Sequence, residues 1–415
     1  MDRWISVNPW LQKLLMFLSV IGPGIITANI DNDAGGIATY SLAGSATGFR
    51  LLWVIPLIAA SLILVQEMSA RLGIVTEKGL ADLIRERYGL KITFYMFICL
   101  IIADLGNTMA EFAGIASAGE IFGISKYITV PVCAVAVWLL VLKGNYRIVE
   151  KVFMCGCLVY ISYVVCGLVM APPWQEIFHA MLVPNIREIR PSDWSIIVGL
   201  IGTSITPWMQ FYIQASIVEK GVAPEELLLS RMDVFFGCLM MSLVSMFIII
   251  CCASTIFPSG VEVQNAKDAA LALGPLAGHN ASILFAIGLF NASFFSAALL
   301  PLATSYYVCE GMGLESGVNK TFGEAPHFFS IFTILIVASV IMVLIPNIGL
   351  FKILIWSQVL NGLLIPLILI FIVRLASDKE LMGSYCNTFW YNLFAYIIIG
   401  LMLSSNVALL YHGFR

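Results

Sequence analysis

Charged residues are scarce in this sequence. Lysine and arginine together number 22, and aspartate and glutamate number 25, so 11% of the 415 residues are charged. Soluble proteins carry about twice that share. Hydrophobic residues make up 60% of the chain, and the mean hydropathy is +0.95. These values exclude a soluble globular protein and indicate a polytopic membrane protein, and the net charge of −3 is too small to indicate a nucleic-acid partner.

Histidine is rare as well, and its positions exclude one mechanism. The four histidines, His179, His279, His327 and His412, lie in predicted loops or at the ends of apolar runs. No imidazole is therefore predicted inside a helix core, where it would titrate near neutral pH. A proton path built from histidines is not expected.

Windows of about 20 apolar residues predict about eleven membrane spans, all of them helical because an open sheet cannot exist in lipid. The first (14–46) and the sixth (195–218) are interrupted. The others cover residues 52–74, 92–122, 128–142, 152–171, 234–257, 281–309, 328–345, 350–375 and 389–411. No small-residue cleavage site follows the first apolar run, so we interpret it as a retained helix.

Basic residues indicate the orientation in the membrane. If the N-terminus is cytoplasmic, 15 of the 22 lysines and arginines lie inside and 7 outside. The positive-inside rule then predicts a multi-pass protein of the plasma (inner) membrane, with a cytoplasmic N-terminus and an extracytoplasmic C-terminus. We expect a monomer, with the bilayer as its surroundings.

The first predicted span is interrupted near its middle by residues 30–39, Ile-Asp-Asn-Asp-Ala-Gly-Gly-Ile-Ala-Thr. A carboxylate at that depth is costly, and irregular backbone is tolerated there only where it lines a cavity or is buried in protein. Asp31 and Asp33, with the free carbonyls of two half-helices, suit a hard divalent cation. Asp31 could instead cap the second half-helix. Gly36 could serve as a hinge or make room for a cavity.

The sixth predicted span has a matching interruption at residues 203–210, where Pro207 removes a backbone donor. Interrupted helices therefore stand first in two consecutive groups of five spans. Because five is odd, the second group must run inverted relative to the first. Paired interruptions of this kind are the sequence sign of an inverted-repeat secondary transporter with a site at the membrane midplane.

Further candidate ligands come from the sixth and tenth spans. The sixth offers Thr203, Thr206 and Gln210, and the tenth offers Gln358 and Asn361, which are three residues apart on one helical face. Threonine hydroxyls in membrane helices often bond to their own backbone, and amides often serve to join helices. Both alternatives stay open for these residues.

Acidic residues also lie along one face of the third span. Asp104, Asn107 and Glu111 are spaced for a shared helical face. Intramembrane acids can relay protons, and they can also pair internally with amides and hydroxyls. Glu111 could thus belong to a proton path or stay paired with Asn107 or a nearby hydroxyl.

Several segments together resemble the NRAMP divalent-metal transporters. They are Gly-Pro-Gly at 22–24, the Asp33 break followed by Ala-Thr at 38–39, Leu-Leu-Trp at 51–53, Ala-Glu-Phe-Ala-Gly at 110–114 and Ser-Gln-Val-Leu at 357–360. The resemblance covers essentially the whole chain. It implies an all-α LeuT-like fold with helices 1 and 6 broken. A single transporter domain over 1–415 would hold one five-helix repeat at 14–171, an inverted repeat at 195–375 and an additional helix at 389–411.

The sequence departs from the family pattern at its binding motifs. The family's Asp-Pro-Gly-Asn reads Asp-Ala-Gly-Gly at 33–36, so Asp33 is retained and Gly36 replaces a ligand asparagine. In the sixth span Thr206 replaces the ligand methionine. The histidines expected beyond Pro207 read Trp208 and, with one inserted residue, Gln214.

The family's third-span aspartate corresponds to Thr108, and Glu111 alone remains of that proton path. Loss of the thioether ligand favours hard ions over softer transition metals, and the smaller glycine leaves volume for the water that Mg²⁺ retains. The pattern is similar to the NRAMP-related magnesium transporter branch. Met209 could restore a sulfur ligand if the sixth span unwinds differently.

These observations predict a secondary transporter or facilitator that admits Mg²⁺, with Mn²⁺ tolerated, by alternating access and without obligate proton coupling. One alternative is a proton-coupled Mn²⁺/Fe²⁺ symporter that uses Met209 and Glu111. Another is a sodium-coupled organic-solute transporter of the same fold, although two aspartates at the break disfavour an anionic substrate. An enzyme is not expected, and the only bound species predicted is the transported ion, with no cofactor.

Overall fold

The structure is a computed structural model that describes residues 32–143, 161–318 and 320–413. Within these ranges the regular structure is helical throughout. The helices of nine or more residues are α1 (Ala34–Thr47), α2 (Val54–Thr76), α3 (Leu80–Ile121), α4 (Lys126–Lys143), α5 (Ile161–Val169), α6 (Trp174–Leu182), α7 (Asp193–Ser204), α8 (Pro207–Lys220), α9 (Leu227–Thr255), α10 (Ala281–Met312), α11 (Pro326–Leu344), α12 (Leu350–Ala376) and α13 (Phe389–Gly413).

Eight helical stretches of the described residues are long and apolar enough to cross a membrane, with α7 and α8 counted as one. A ninth apolar stretch, Lys126–Leu142, is shorter. The predicted total of eleven spans stays a prediction, because most of the first span and the start of the fifth lie outside the described residues. The repeat boundaries at 14–171 and 195–375 and the separate status of 389–411 stay predictions too.

Helix α3 begins earlier than the predicted third span. It runs for 42 residues and contains a kink at Gly89, where φ is 82° and ψ is 164°. Only glycine adopts such a conformation without strain. The apolar pattern located the span beyond the kink, whereas the helical turns before Gly89 carry charged residues that the hydropathy window excludes.

The predicted break in the sixth span is confirmed. Helix α7 ends at Ser204, and α8 begins at Pro207, which as the first helical residue has no N–H to lose from the hydrogen-bond pattern. Between them Ile205 and Thr206 have non-helical backbones, with ψ of 73° and 145°. For the first span, the structure describes only the second half-helix, which is α1.

Helix α1 lies at the centre of the bundle, packed against α7, α9 and α12. Twelve of its fourteen residues are buried. The hydroxyl of Tyr40 lies 2.9 Å from Oγ of Ser204, so α1 is tied to the last turn of α7. The middle of α1 is thereby held close to the end of α7.

The backbones of α7 and α12 are in direct contact. A Cβ added to Gly202 would lie 1.9 Å from the carbonyl oxygen of Gln358, and one added to Gly362 would lie 2.2 Å from that of Val198. Small residues allow membrane helices to approach this closely and to pack over a large area. This contact places Gln358 next to the end of α7.

Replacing Gly202 with alanine should destabilise the protein by about 1–3 kcal/mol, because the new methyl group would meet backbone atoms that cannot move aside. We expect a lower midpoint of thermal unfolding for the purified protein in detergent. Gly400→Ala is the matched control, since no described atom lies within 4 Å of the added methyl group. An unchanged midpoint for Gly202→Ala would contradict the close approach of α7 and α12.

Candidate metal site

Asp33 is the N-cap of α1. Its backbone is extended, and its Oδ1 accepts a 2.6 Å hydrogen bond from the N–H of Gly36. The positive end of the helix favours a carboxylate there. Asp31 was the predicted candidate for this cap, but Asp33 occupies the cap position. Asp31 lies outside the described residues. Gly36 takes part through its N–H.

Glu111 reaches from α3 to the same point. Its Oε2 accepts a hydrogen bond of 3.4 Å from the N–H of Ala34, and its carboxyl group lies beside that of Asp33. No donor within the described ranges reaches Oε1 of Glu111. Both side chains are closed off, since Asp33 is 4% exposed and Glu111 0%. Two buried carboxyl groups side by side require a proton or a cation between them.

Glu111 does not pair with Asn107, which was one of the partners predicted for it. The amide of Asn107 donates instead to Asp104 and to Asn361. Glu111 is therefore directed at the start of α1 and belongs to the same site as Asp33.

Thr203, on the last turn of α7, behaves differently from other threonines in the helices. Thr39 and Thr108, for example, each donate to the carbonyl four residues back. The buried Oγ1 of Thr203 has no hydrogen-bond partner among the residues that the structure describes. Its oxygen is thus available to a ligand. Thr206 is also buried and stands at the N-cap position of α8.

Gln358 reaches the start of α1, but its amide oxygen points elsewhere. A Cβ added to Gly35 would lie 1.9 Å from Nε2 of Gln358, so the amide nitrogen packs on α1. Oε1 accepts from Nδ2 of Asn361 at 3.1 Å. The oxygen of Asn361 in turn accepts from Asn107 on α3. In this conformation neither predicted amide ligand has its oxygen free.

Gln210 and Met209 are directed at α2. Oε1 of Gln210 accepts from the hydroxyl of Ser69 at 3.1 Å. The sulfur of Met209 accepts from the amides of Gln66 and Gln210. The structure therefore does not gather Gln210 with the other predicted ligands, and the thioether of Met209 is already in use.

A cavity of about 920 Å³ is lined in part by the same helices that carry this site. Its walls include Leu42 of α1, Ser117 of α3 and Ile355 of α12, each within about two helical turns of the site residues on the same helix. No candidate ligand in the described part of the chain lines this cavity, and the site itself is closed in this conformation.

A family model described as "Natural resistance-associated macrophage protein-like" matches residues 24–412. The chain belongs to the Nramp family. The predicted resemblance is thus confirmed over nearly the whole chain.

Curated relatives include divalent metal cation transporters named MntH. The protein of Bradyrhizobium diazoefficiens is 28% identical, with 98% of this chain and 91% of the relative covered. MntH 1 of Pseudomonas aeruginosa is 29% identical, with 97% and 93% covered. As an Nramp member this chain is a divalent metal cation transporter and a multi-pass membrane protein. It is not an enzyme, and the metal ion is its substrate rather than a cofactor.

Solved structures support the fold. The manganese transporter of Eremococcus coleocola aligns with a TM-score of 0.79 at 21% identity, with 98% of this chain and 89% of that chain covered. The transporter MhsT aligns over 99% of this chain and 100% of its own, with a TM-score of 0.57 at 14% identity. The predicted LeuT-like Nramp fold is confirmed.

Replacing Asp33 with asparagine should nearly abolish metal uptake while the protein still folds. Asparagine caps helices about as well as aspartate, so the substitution removes the charge and keeps the cap. Asp33→Ala removes both and should also lower stability by about 0.5–2 kcal/mol. Uptake into proteoliposomes and thermal unfolding of the three proteins would be measured. Normal uptake by folded Asp33→Asn would exclude Asp33 as the main charged ligand.

Proposed function

We propose that this Nramp protein carries Mg²⁺ and Mn²⁺ inward by alternating access and without obligate proton coupling. We place it in the plasma (inner) membrane as a monomer with a cytoplasmic N-terminus and an extracytoplasmic C-terminus. Asp33 is the principal charged ligand in this proposal, and Glu111, Thr203, Thr206 and, after amide rotation, Gln358 surround the ion.

The observation that carries the proposal is the chemistry of the donors at the break. Carboxylate oxygens of Asp33 and Glu111 lie at the start of α1. The hydroxyl of Thr203 is next in sequence to Gly202, which contacts the backbone of Gln358. The sulfur of Met209 is engaged by amides on the side of α2. Oxygen donors of this kind suit hard divalent ions such as Mg²⁺ and Mn²⁺, whereas a thioether favours softer metals.

The proposed lack of proton coupling follows from the small number of acids at the site. Thr108 occupies the position of the family's aspartate and donates its hydroxyl to the carbonyl of Asp104. A divalent ion that crosses the full membrane field gains about 4.6 kcal/mol per 100 mV. That free energy is sufficient to drive uptake without a second ion.

A proton-coupled Mn²⁺ symporter is the second candidate, and one observation favours it. Glu111 lies beside Asp33, so a metal ion that binds Asp33 would tend to expel a shared proton toward Glu111. The relatives named MntH are divalent metal cation transporters as well, and that name does not separate the two mechanisms. An organic anion is disfavoured by the same pair of carboxyl groups.

Replacing Thr206 with methionine should shift the ion preference from Mg²⁺ toward Mn²⁺ and Cd²⁺, because it adds a polarizable sulfur near the ion. Competition between these ions for uptake into proteoliposomes measures the preference. Thr206→Ser, which keeps a hydroxyl, and Thr388→Met, which adds methionine at an exposed position, are the controls. An unchanged competition profile for Thr206→Met would mean that residue 206 does not face the ion.

Luminal pH in proteoliposomes should stay constant while Mg²⁺ or Mn²⁺ enters. The reason is that one carboxyl group, Glu111, cannot by itself carry a proton from the site to the inner side. A pH dye inside the vesicles reports the proton flux, and Glu120→Gln, an exposed change on the same helix, is the matched control. Acidification that scales with metal entry and disappears in Glu111→Gln would establish the symporter instead.

A further inference from the structure

A series of hydrogen bonds leads from the site, with its buried acids Asp33 and Glu111, to a third buried acid, Asp104. Nδ2 of Asn107 donates to Oδ1 of Asp104 at 3.3 Å and to Oδ1 of Asn361 at 3.1 Å. Nδ2 of Asn361 donates back to Oδ1 of Asn107 at 2.8 Å and onward to Oε1 of Gln358 at 3.1 Å. These hydrogen bonds join α3 to α12 and end at Gln358, whose Nε2 packs on Gly35.

Asp104 itself is surrounded by donors. Its Oδ2 accepts from the hydroxyls of Thr304, at 2.7 Å, and Tyr307, at 2.9 Å, both on α10. Asp104 is fully buried and has no ion pair in the described part of the chain. Three donors converge on one carboxyl group, and an ionised carboxylate can only accept hydrogen bonds.

Because the carboxylate of Asp104 can only accept, it fixes the orientation of the three amides in this series of hydrogen bonds, those of Asn107, Asn361 and Gln358. Because Asp104 accepts, Asn107 must turn its NH₂ toward Asp104; the same NH₂ donates to the oxygen of Asn361, and the oxygen of Asn107 accepts from the NH₂ of Asn361. Asn361 then turns its NH₂ toward Asn107 and Gln358, so Oε1 of Gln358 is occupied. The end of Gln358 that remains for α1 is its nitrogen, which is a donor and cannot bind a cation.

We propose that Asp104 is a positioning residue that sets, through Asn107 and Asn361, which end of the Gln358 amide faces the transported ion. The inference rests on the proposed function, because it takes Gln358 as part of the cation site. We call the hydrogen-bonded series Asp104, Asn107, Asn361 and Gln358 the relay. While Asp104 accepts from Asn107, the relay holds the oxygen of Gln358 away from the ion. If the relay reverses, that oxygen turns toward the start of α1.

Replacing Asp104 with asparagine should reverse the relay. The oxygen of the new amide would keep the hydroxyls of Thr304 and Tyr307, and its NH₂ would face Asn107. Asn107, Asn361 and Gln358 would each rotate, and Oε1 of Gln358 would then face the ion. We expect the KM for Mg²⁺ and Mn²⁺ to fall by about fivefold, since the change is comparable to one hydrogen bond, while the maximal uptake rate per molecule stays the same.

A double-mutant cycle tests this relay in the full-length protein in proteoliposomes. In Gln358→Glu both ends of the side chain are oxygens, so its orientation no longer matters. Asp104→Asn should therefore lower KM in the wild-type background and leave KM unchanged in the Gln358→Glu background. Asp82→Asn, the same change at a partly exposed position on α3, is the control and should leave KM unchanged in both backgrounds.

A second variant keeps the test decisive if Asp104→Asn or Gln358→Glu does not fold. Asn107→Leu cuts the relay between Asp104 and Gln358 and should lower KM in the same direction. A merely structural role for Asp104 would instead lower the maximal rate and the unfolding midpoint and leave KM unchanged. That result, or an equal KM shift in both backgrounds, would overturn the relay. Failure of the wild type to take up either ion would overturn the proposed function itself.

Discussion

Burying the carboxylate of Asp33 in apolar surroundings costs several kcal/mol, on the order of that for any unpaired buried ion. The N-terminus of α1 offsets part of this cost through the N–H of Gly36 and the helix dipole. Glu111 increases the cost of burying Asp33, because its carboxyl group lies beside that of Asp33. Binding of a divalent cation can offset the part of this cost that remains. Among the described residues, the break between α7 and α8, the close packing of α7 on α12 and the Thr203 hydroxyl without a partner all contribute to a dry and partly unsatisfied site.

Local sequence signals predicted the parts of the site that local physics determines. Pro207 identified the break in the sixth span because proline is incompatible with a helix interior, and Asp33 was identified because a carboxylate within an apolar run is costly. The contact of Gly202 with α12 and the direction of Met209 were beyond prediction, since they depend on how distant helices pack. Thr304 and Tyr307 gave no signal as partners of Asp104, because nothing in an apolar span shows which helix it faces.

The amide groups of the site show a further limit on what can be predicted from the sequence. Gln358 and Asn361 were predicted as ligands from their spacing, and the structure does place Gln358 against Gly35. Spacing cannot reveal which atom of an amide faces the ion, because nitrogen and oxygen occupy nearly the same position. That choice is made by hydrogen-bond partners more than 250 residues away in sequence, as the separation of 254 between Asn107 and Asn361 shows.

The backbone contact between α7 and α12 also has a mechanical consequence. Because Gly202 touches the carbonyl of Gln358 and Gly362 touches that of Val198, the two helices cannot slide or separate without losing this fit. Thr203 and Gln358 therefore travel together as one rigid body when the transporter changes state. Any motion that opens the site to one side and then the other must therefore occur where this pair of helices meets its neighbours.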